Sequence, residues 1–231
     1  MKKLDSSKPL ILLGDHHGNW SELFYLIDKN ELENCHLISV GDLGIGFEKK
    51  EYQLQTISKL NMLFGENNIH FKGIRGNHDD PDYFKGFKFN LEYFELIEDY
   101  SIYEYNFKLI QFIGGAISID RSGRTPGVSY WEDEKLVFKK DKCQKVDVLI
   151  THTTPSFCFP QRFNEIVYGW AEQDTFLLKE LTEERKMMDE IFKICDPSQH
   201  LYGHFHSSRD ETINNCRHKL LNINELYELK I

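Results

Sequence analysis

Pro9-Leu10-Ile11-Leu12-Leu13-Gly14-Asp15-His16-His17-Gly18 decides how this chain is read. Four consecutive aliphatic residues fit a short strand buried on both faces, and the strand breaks abruptly into polar residues. The pattern recurs. His36 to Val40 runs into Gly41-Asp42, and Ile69 to Ile74 runs into Arg75-Gly76-Asn77-His78-Asp79. Val146 to Ile150 runs into Thr151-His152, and His200 to Tyr202 runs into Gly203-His204-Phe205-His206. Between these runs lie helical patterns: a helix after Asn19 or Ser21, a second over Tyr52–Leu63, and a third over Asp174–Ile194, stopped by Pro197. Alternating strands and helices predict an α/β fold.

Antiparallel pieces are expected beside the parallel ones. Ser101–Tyr105 and Phe107–Ile113 read as consecutive strands, and His218–Ile223 with Leu226–Ile231 reads as a closing hairpin about Asn224-Glu225. Phe84, Phe87, Phe89, Tyr93 and Phe94 read as core or lid packing. Thr153 to Gln173 is the least regular stretch, and a loop of that length usually shapes a binding site. No repeat or linker interrupts the chain, so residues 1–231 are read as one domain.

The 231 residues carry 28 Lys plus Arg against 37 Asp plus Glu, a formal net charge of −9. That balance argues against a stable complex with duplex nucleic acid, whose affinity comes largely from phosphate neutralisation. The five cysteines stand at 35, 143, 158, 195 and 216, too far apart for a CxxC motif. They read as reduced thiols of a cytoplasmic protein. No apolar run approaches the roughly 20 residues that cross a membrane, so no membrane partner is expected.

The strand ends collect Asp15, His17, Asp42, Asn77, His152, His204 and His206. Loops after the carboxyl ends of buried strands are where α/β sheets gather ligands. This oxygen and imidazole set, without thiolate, suits Mn, Fe, Zn or Ni. Seven donors exceed what one tetrahedral ion takes, and two ions about 3.5–4 Å apart would use them all. Asp15 and His17 are two apart, as are His204 and His206, so each pair points one way on extended backbone. His16 then faces away. His36, His70, His200 and His218 read as structural.

These five segments, in this order, resemble the motifs of the calcineurin-like metallophosphoesterases, over residues 14 to 206. The resemblance implies an α/β four-layer sandwich of two stacked mixed β-sheets flanked by helices. It implies two divalent metal ions, Mn²⁺ first, with Fe, Zn or Ni as alternatives. Asp15, His17 and His206 would hold one ion, Asn77, His152 and His204 the other, and Asp42 would bridge them. A hydroxide between the ions would attack the ester, and His78 would protonate the leaving oxygen with Asp79 orienting it. The implied activity is a phosphomonoesterase, with a phosphodiesterase or a non-catalytic metal-binding scaffold as alternatives. The substrate would be a phosphorylated small molecule, nucleotide or phosphopeptide. Oligomeric state is left open.

The second motif departs from the protein Ser/Thr phosphatase branch. That branch follows Gly-Asp with two residues and Asp-Arg-Gly, whereas this chain reads Gly41-Asp42-Leu43-Gly44-Ile45-Gly46. The phosphate-gripping Arg of that branch is missing. Arg75, before Gly76-Asn77-His78, does resemble that branch and is a candidate substrate-binding residue. Arg121 and Arg124 are the candidate replacements, within Gly114 to Arg124, a segment resembling one shared by small phosphoesterases of bacteria and their viruses.

Overall fold

Alternation along two facing sets of strands sets the layers. A computed structural model describes residues 1–86 and 88–231, so Phe87 lies outside the described residues. In β2 (Leu10–Leu13) all four side chains are buried, but Leu10 and Leu12 face one core while Ile11 and Leu13 face another. A strand can bury both faces only when something covers each one.

β2 belongs to a five-stranded sheet with β3 (His36–Ser39), β4 (His70–Gly73), β5 (Phe94–Leu96) and β12 (Leu226–Glu228), in the order β12-β2-β3-β4-β5. β2, β3, β4 and β5 run parallel to one another, and β12 runs antiparallel to β2. The other sheet has seven strands. These are β1 (Lys2–Lys3), β6 (Ser101–Tyr105), β7 (Lys108–Ile113), β8 (Val148–Thr151), β9 (Gln199–Tyr202), β10 (Arg209–Ile213) and β11 (Cys216–Leu220), ordered β1-β6-β7-β8-β9-β11-β10. It too is mixed, with β7, β8, β9 and β11 running parallel.

Leu10, Leu12, Ile38, Val40 and Ile74 of the first sheet meet Ile110, Phe112, Val148, Ile150 and Leu201 of the second in one core. α1 (Trp20–Lys29) and α2 (Lys50–Glu66) cover the outer face of the five-stranded sheet through Leu23, Ile27, Ile57, Leu60 and Phe64. The Asn19 side chain caps α1 by accepting from the Glu22 amide at 3.2 Å. α4 (Leu177–Cys195) covers the seven-stranded sheet with Met188, Ile191 and Cys195. The architecture is the expected four-layer α/β sandwich.

A buried ionic group ties the sheets at one edge. Glu95 of β5 accepts from Lys72 of β4 at 2.9 Å, and also from Lys2 and from the Tyr103 hydroxyl of the opposite sheet.

The closing segments differ from expectation. No hairpin forms about Asn224-Glu225. Leu221 ends its stay beside Tyr202, the chain crosses over, and Leu226–Glu228 joins the other sheet opposite Ile11 to Leu13. Leu221 and Leu229 both enter the core between the sheets, which the crossing allows and a hairpin within one sheet would not. The hairpin lies earlier, joining β10 and β11 through Asn214 and Asn215, both with left-handed backbone (φ 53° and 63°). The long irregular stretch contains α3 (Glu165–Ala171), capped by Asn164, which accepts from the Val167 amide at 3.0 Å. Phe84, Phe89, Tyr93 and Phe94 pack in or against the core under α2.

Candidate metal centre

The two sheets deliver the seven donors to one place. Asp15 and His17 follow β2, Asp42 follows β3 and Asn77 follows β4. From the facing sheet, His152 follows β8, and His204 with His206 follows β9. The halves are joined by hydrogen bonds: the His204 amide donates to Asp15 Oδ2 at 2.7 Å, and His152 Nδ1 lies 2.9 Å from the Val40 carbonyl.

The donors fall into two groups. Asp15, His17, Asp42 and His206 offer ligand atoms all within 4.8 Å of one another. His17 Nε2 lies 3.0 Å from His206 Nε2, and His206 Nε2 lies 3.5 Å from Asp15 Oδ2. Around Asn77 Oδ1 gather His204 Nδ1 at 2.8 Å and His152 Nε2 at 3.1 Å. Asp42 stands between the groups, with Oδ2 3.7 Å from His17 Nδ1 and Oδ1 3.3 Å from His152 Nε2.

The backbone is bent to achieve this. His17, Asp42, His204 and His206 all have positive φ, between 45° and 70°. Non-glycine residues hold such conformations at a cost, and that strain concentrates at functional sites. Two motif glycines leave room for the ligands. A Cβ on Gly76 would stand 1.9 Å from Asp42 Oδ1, and one on Gly203 would stand 2.2 Å from Asp15 Oδ1.

The site fits divalent cations. Asp15 Oδ1 is fully buried without a hydrogen-bond partner. Burial pushes the Asp15 carboxyl up. Burial also opposes ionising Asp42, but the His152 charge outweighs it and holds that carboxyl well below its usual range. Burial alone would keep His152 neutral, yet Asp42 and Asp15 raise it to about 9. Protons on Asp15 and His152 thus stand where a cation would balance the same carboxylates.

Asn77 is oriented from behind. Its amide nitrogen donates to Ser118 Oγ at 3.0 Å, which donates to the buried Glu134 carboxylate at 2.9 Å. This fixes the amide oxygen toward His152 and His204. Ser118 lies within the Gly114 to Arg124 segment, but its role and that of Glu134 depend on a contact 16 residues apart that the sequence does not display.

The remaining candidates divide. His78 stands at the rim of the donors, its ring 4.8 Å from that of His17. Its Nε2 lies 2.7 Å from Arg124 Nη2, and Arg124 also pairs with Asp120 at 2.8 Å. Burial pushes the His78 imidazole down to about 4; Asp42 pulls the other way and Arg124 adds to the depression. Asp79 does not touch His78. Its carboxylate lies beneath the loops, accepting from the amides of Gly76, Leu43 and Ile45 at 2.8, 3.1 and 2.9 Å. It holds the loop after β3 against the loop after β4. Arg75 does not reach the site either. It grips Asp99 at 2.8 Å and donates to the carbonyls of Glu134 and Lys135 at 2.5 and 3.0 Å. Arg121 is held by Asp174 at 2.6 Å and Glu180 at 2.5 Å. His16 faces away as expected and packs against Trp20, 4.3 Å between ring centres.

A cavity of about 510 Å³ opens directly onto His17, Asp42, Asn77, His78 and His206. Arg124 and Asp120 stand at one side. The opposite wall is apolar, built from Phe159, Phe163, Val167 and Trp170 of the long irregular stretch and from Leu181 of α4. α3 could have been found from Val167, Trp170 and Ala171, spaced three and four apart behind a capping Asn164.

A family model described as calcineurin-like phosphoesterase matches residues 8–208. Among curated proteins, no sequence matches this chain. Solved structures similar to it include a conserved protein of Streptococcus pneumoniae TIGR4 described as a predicted phosphoesterase. That likeness has 12% identity, covers 94% of this chain and 72% of that one, and has a TM-score of 0.34. Another is the phosphopantetheinyl hydrolase of Mycobacterium tuberculosis, at 12% identity, 93% and 90% coverage, and a TM-score of 0.45. With the match spanning all seven donors and most of the chain, the chain belongs to the calcineurin-like phosphoesterase family, metal-dependent hydrolases of phosphoric esters.

Proposed function

We propose that this chain is a phosphomonoesterase with two metal ions, of which Mn²⁺ is the first choice for the mixed oxygen and imidazole donor set. One observation carries the reading: seven donors from five strand ends converge in two groups sharing Asp42, at the mouth of one cavity. Asp15, His17 and His206 would hold one ion, Asn77, His152 and His204 the other, and Asp42 both. Such a pair supplies Lewis acidity and a nucleophile at neutral pH.

The chain's own residues then have distinct tasks. Arg124 presents a guanidinium to the phosphate oxygens and is itself held by Asp120. In the free protein it also donates to His78 Nε2. A phosphate drawing Arg124 onto its oxygens would release that nitrogen, which could then carry a proton and pass it to the leaving oxygen. Asn77 is neutral, so it would bind without cancelling the positive charge the phosphate needs. The apolar wall of Phe159, Phe163, Val167 and Trp170 would exclude water and favour an ester with an apolar or aromatic leaving group.

A phosphodiesterase acting on a small diester is the second reading, favoured by the cavity's breadth beside the metals. Five unpaired thiols suit a cytoplasmic protein, and residues 1–231 are read as one domain. No helix among the described residues is long and apolar enough to cross a membrane.

The deciding experiment compares Mn²⁺-loaded protein on p-nitrophenyl phosphate and bis-p-nitrophenyl phosphate. A clear preference for the monoester is expected. Preference for the diester moves the assignment to the second reading, and no turnover of either by fully loaded protein rejects both.

A further inference from the structure

We propose that Cys158, His200 and His218 form a second metal site, for a single Zn²⁺ ion, on the far side of the seven-stranded sheet from the inter-sheet core. It is independent of the phosphoesterase reading. His200 of β9 and His218 of β11 are direct neighbours in a parallel pairing, so both rings project from the same face. Cys158 arrives from the loop after β8. Its Sγ lies 3.1 Å from His218 Nδ1, which lies 3.1 Å from His200 Nδ1. The three ligand atoms all lie within 4.8 Å of one another, and all three residues are fully buried.

Proton accounting leaves His200 Nδ1 facing the other two ligand atoms with a lone pair. Thr151 has one hydroxyl proton and gives it to the Thr153 carbonyl at 2.5 Å. Toward His200 Nε2, 2.8 Å away, Thr151 Oγ1 can therefore only accept. That nitrogen carries the ring proton, and His200 Nδ1 is bare. A metal-bound histidine shows this pattern, with its other nitrogen donating to a fixed acceptor.

The spacing suits a tetrahedral ion. Zn–N near 2.05 Å and Zn–S near 2.3 Å place N···N at about 3.3 Å and S···N at about 3.6 Å, a few tenths wider than found here. The His17–His206 contact of the first centre, 3.0 Å, is contracted in the same way. The fourth donor at hand is Thr154. Its hydroxyl is fully buried, beside the Cys158 thiol and the Tyr202 hydroxyl. Thiolate and imidazole together select Zn²⁺ over Mn²⁺. Binding releases the Cys158 thiol proton to water and leaves a net positive charge. Arg185 adds a further positive charge nearby, and Glu211 and Asp189 oppose it. The ion would pin the loop after β8, which continues into the apolar cavity wall, onto the sheet.

Cobalt reports this site alone, because the Asp15–His206 centre contains no thiolate. Metal-free native protein is titrated with Co²⁺ and read for thiolate-to-cobalt absorption in the near ultraviolet. The expected result is a band that saturates with one thiolate-bound ion per chain and is lost on adding Zn²⁺. Cys158→Ser should abolish it. Single Ser replacements of Cys35, Cys143, Cys195 and Cys216 should each retain it, which locates the band even if Cys158→Ser does not fold. Metal analysis of Asp15→Asn/Asp42→Asn protein purified with Zn²⁺ should find about one ion per chain. Absence of the band from folded native protein overturns the site, as does a band lost with any of the other four cysteines.

Discussion

Arg124→Ala tests how the chain meets a phosphate. Only 12% of the Arg124 side chain is exposed, and its Nη2 lies 2.7 Å from His78 Nε2 and 2.8 Å from Asp120 Oδ1. A charge-assisted hydrogen bond in such a setting contributes about 1.5–3 kcal/mol. Partial exposure of Asp120, at 34%, means its own pairing with Arg124 is screened, so the lower half of that range applies. At about 1.4 kcal/mol per tenfold change, the loss corresponds to roughly 10- to 40-fold in kcat/KM. Steady-state hydrolysis of p-nitrophenyl phosphate by Mn²⁺-loaded protein would measure it, with bound metal determined on the same sample. Arg124→Lys, which keeps the charge and loses the fork, should fall between wild type and Arg124→Ala. Metal content should stay near wild type, since Arg124 meets none of the seven donors. A kcat/KM within twofold of wild type in fully loaded Arg124→Ala would refute the phosphate grip.

Other expectations follow from the same contacts. His78→Ala should lower kcat about 10²–10⁴-fold with metal content unchanged, and near-normal turnover would remove its proton-transfer role. Asp42→Asn should lose both metal occupancy and activity, so two ions bound at wild-type strength would contradict its shared position. Trp170→Ala, opening the apolar wall, should raise KM for aryl phosphates several-fold more than for a small polar ester such as glycerol phosphate; equal effects would show that the wall does not select. Glu95 is pulled below its ordinary value of 4.5, because Lys72, Lys2 and Tyr103 outweigh the cost of its burial. Its contribution to stability is full above the ordinary value and fades as pH falls through the depressed one. Urea unfolding from pH 6 to 3 should therefore show a steeper loss for wild type than for Glu95→Gln, and parallel curves would dismiss the effect.

The sequence disclosed the centre more fully than its surroundings. Each donor sits at the end of an aliphatic run, so local pattern alone put Asp15, Asp42, Asn77, His152 and His204 at strand ends. The fold class followed from the same alternation. What stayed hidden depended on distant partners. Arg75, Arg121 and Arg124 look alike in one dimension, and only Asp99, Asp174 and Glu180 reveal that the first two are committed elsewhere. Asp79 follows His78 in the chain, yet its carboxylate serves the backbone of another loop. The misplaced hairpin has the same origin: Leu226–Glu228 is a plausible partner for its neighbour until the second sheet is present. His200 and His218 lie 18 residues apart and read as structural, and pairing β9 with β11 is what brings their rings together.

The seam between the sheets has a consequence for how mutations are felt. Asp15, His17, Asp42 and Asn77 belong to one sheet, and His152, His204 and His206 to the other. The centre works like the jaws of a caliper whose hinge is the core of Leu12, Val40, Phe112 and Ile150. A volume change in that core slides one jaw against the other before it unfolds anything. Metal affinity should then be an early casualty of mutations that touch no ligand, and loaded ions should in turn clamp the two sheets in register.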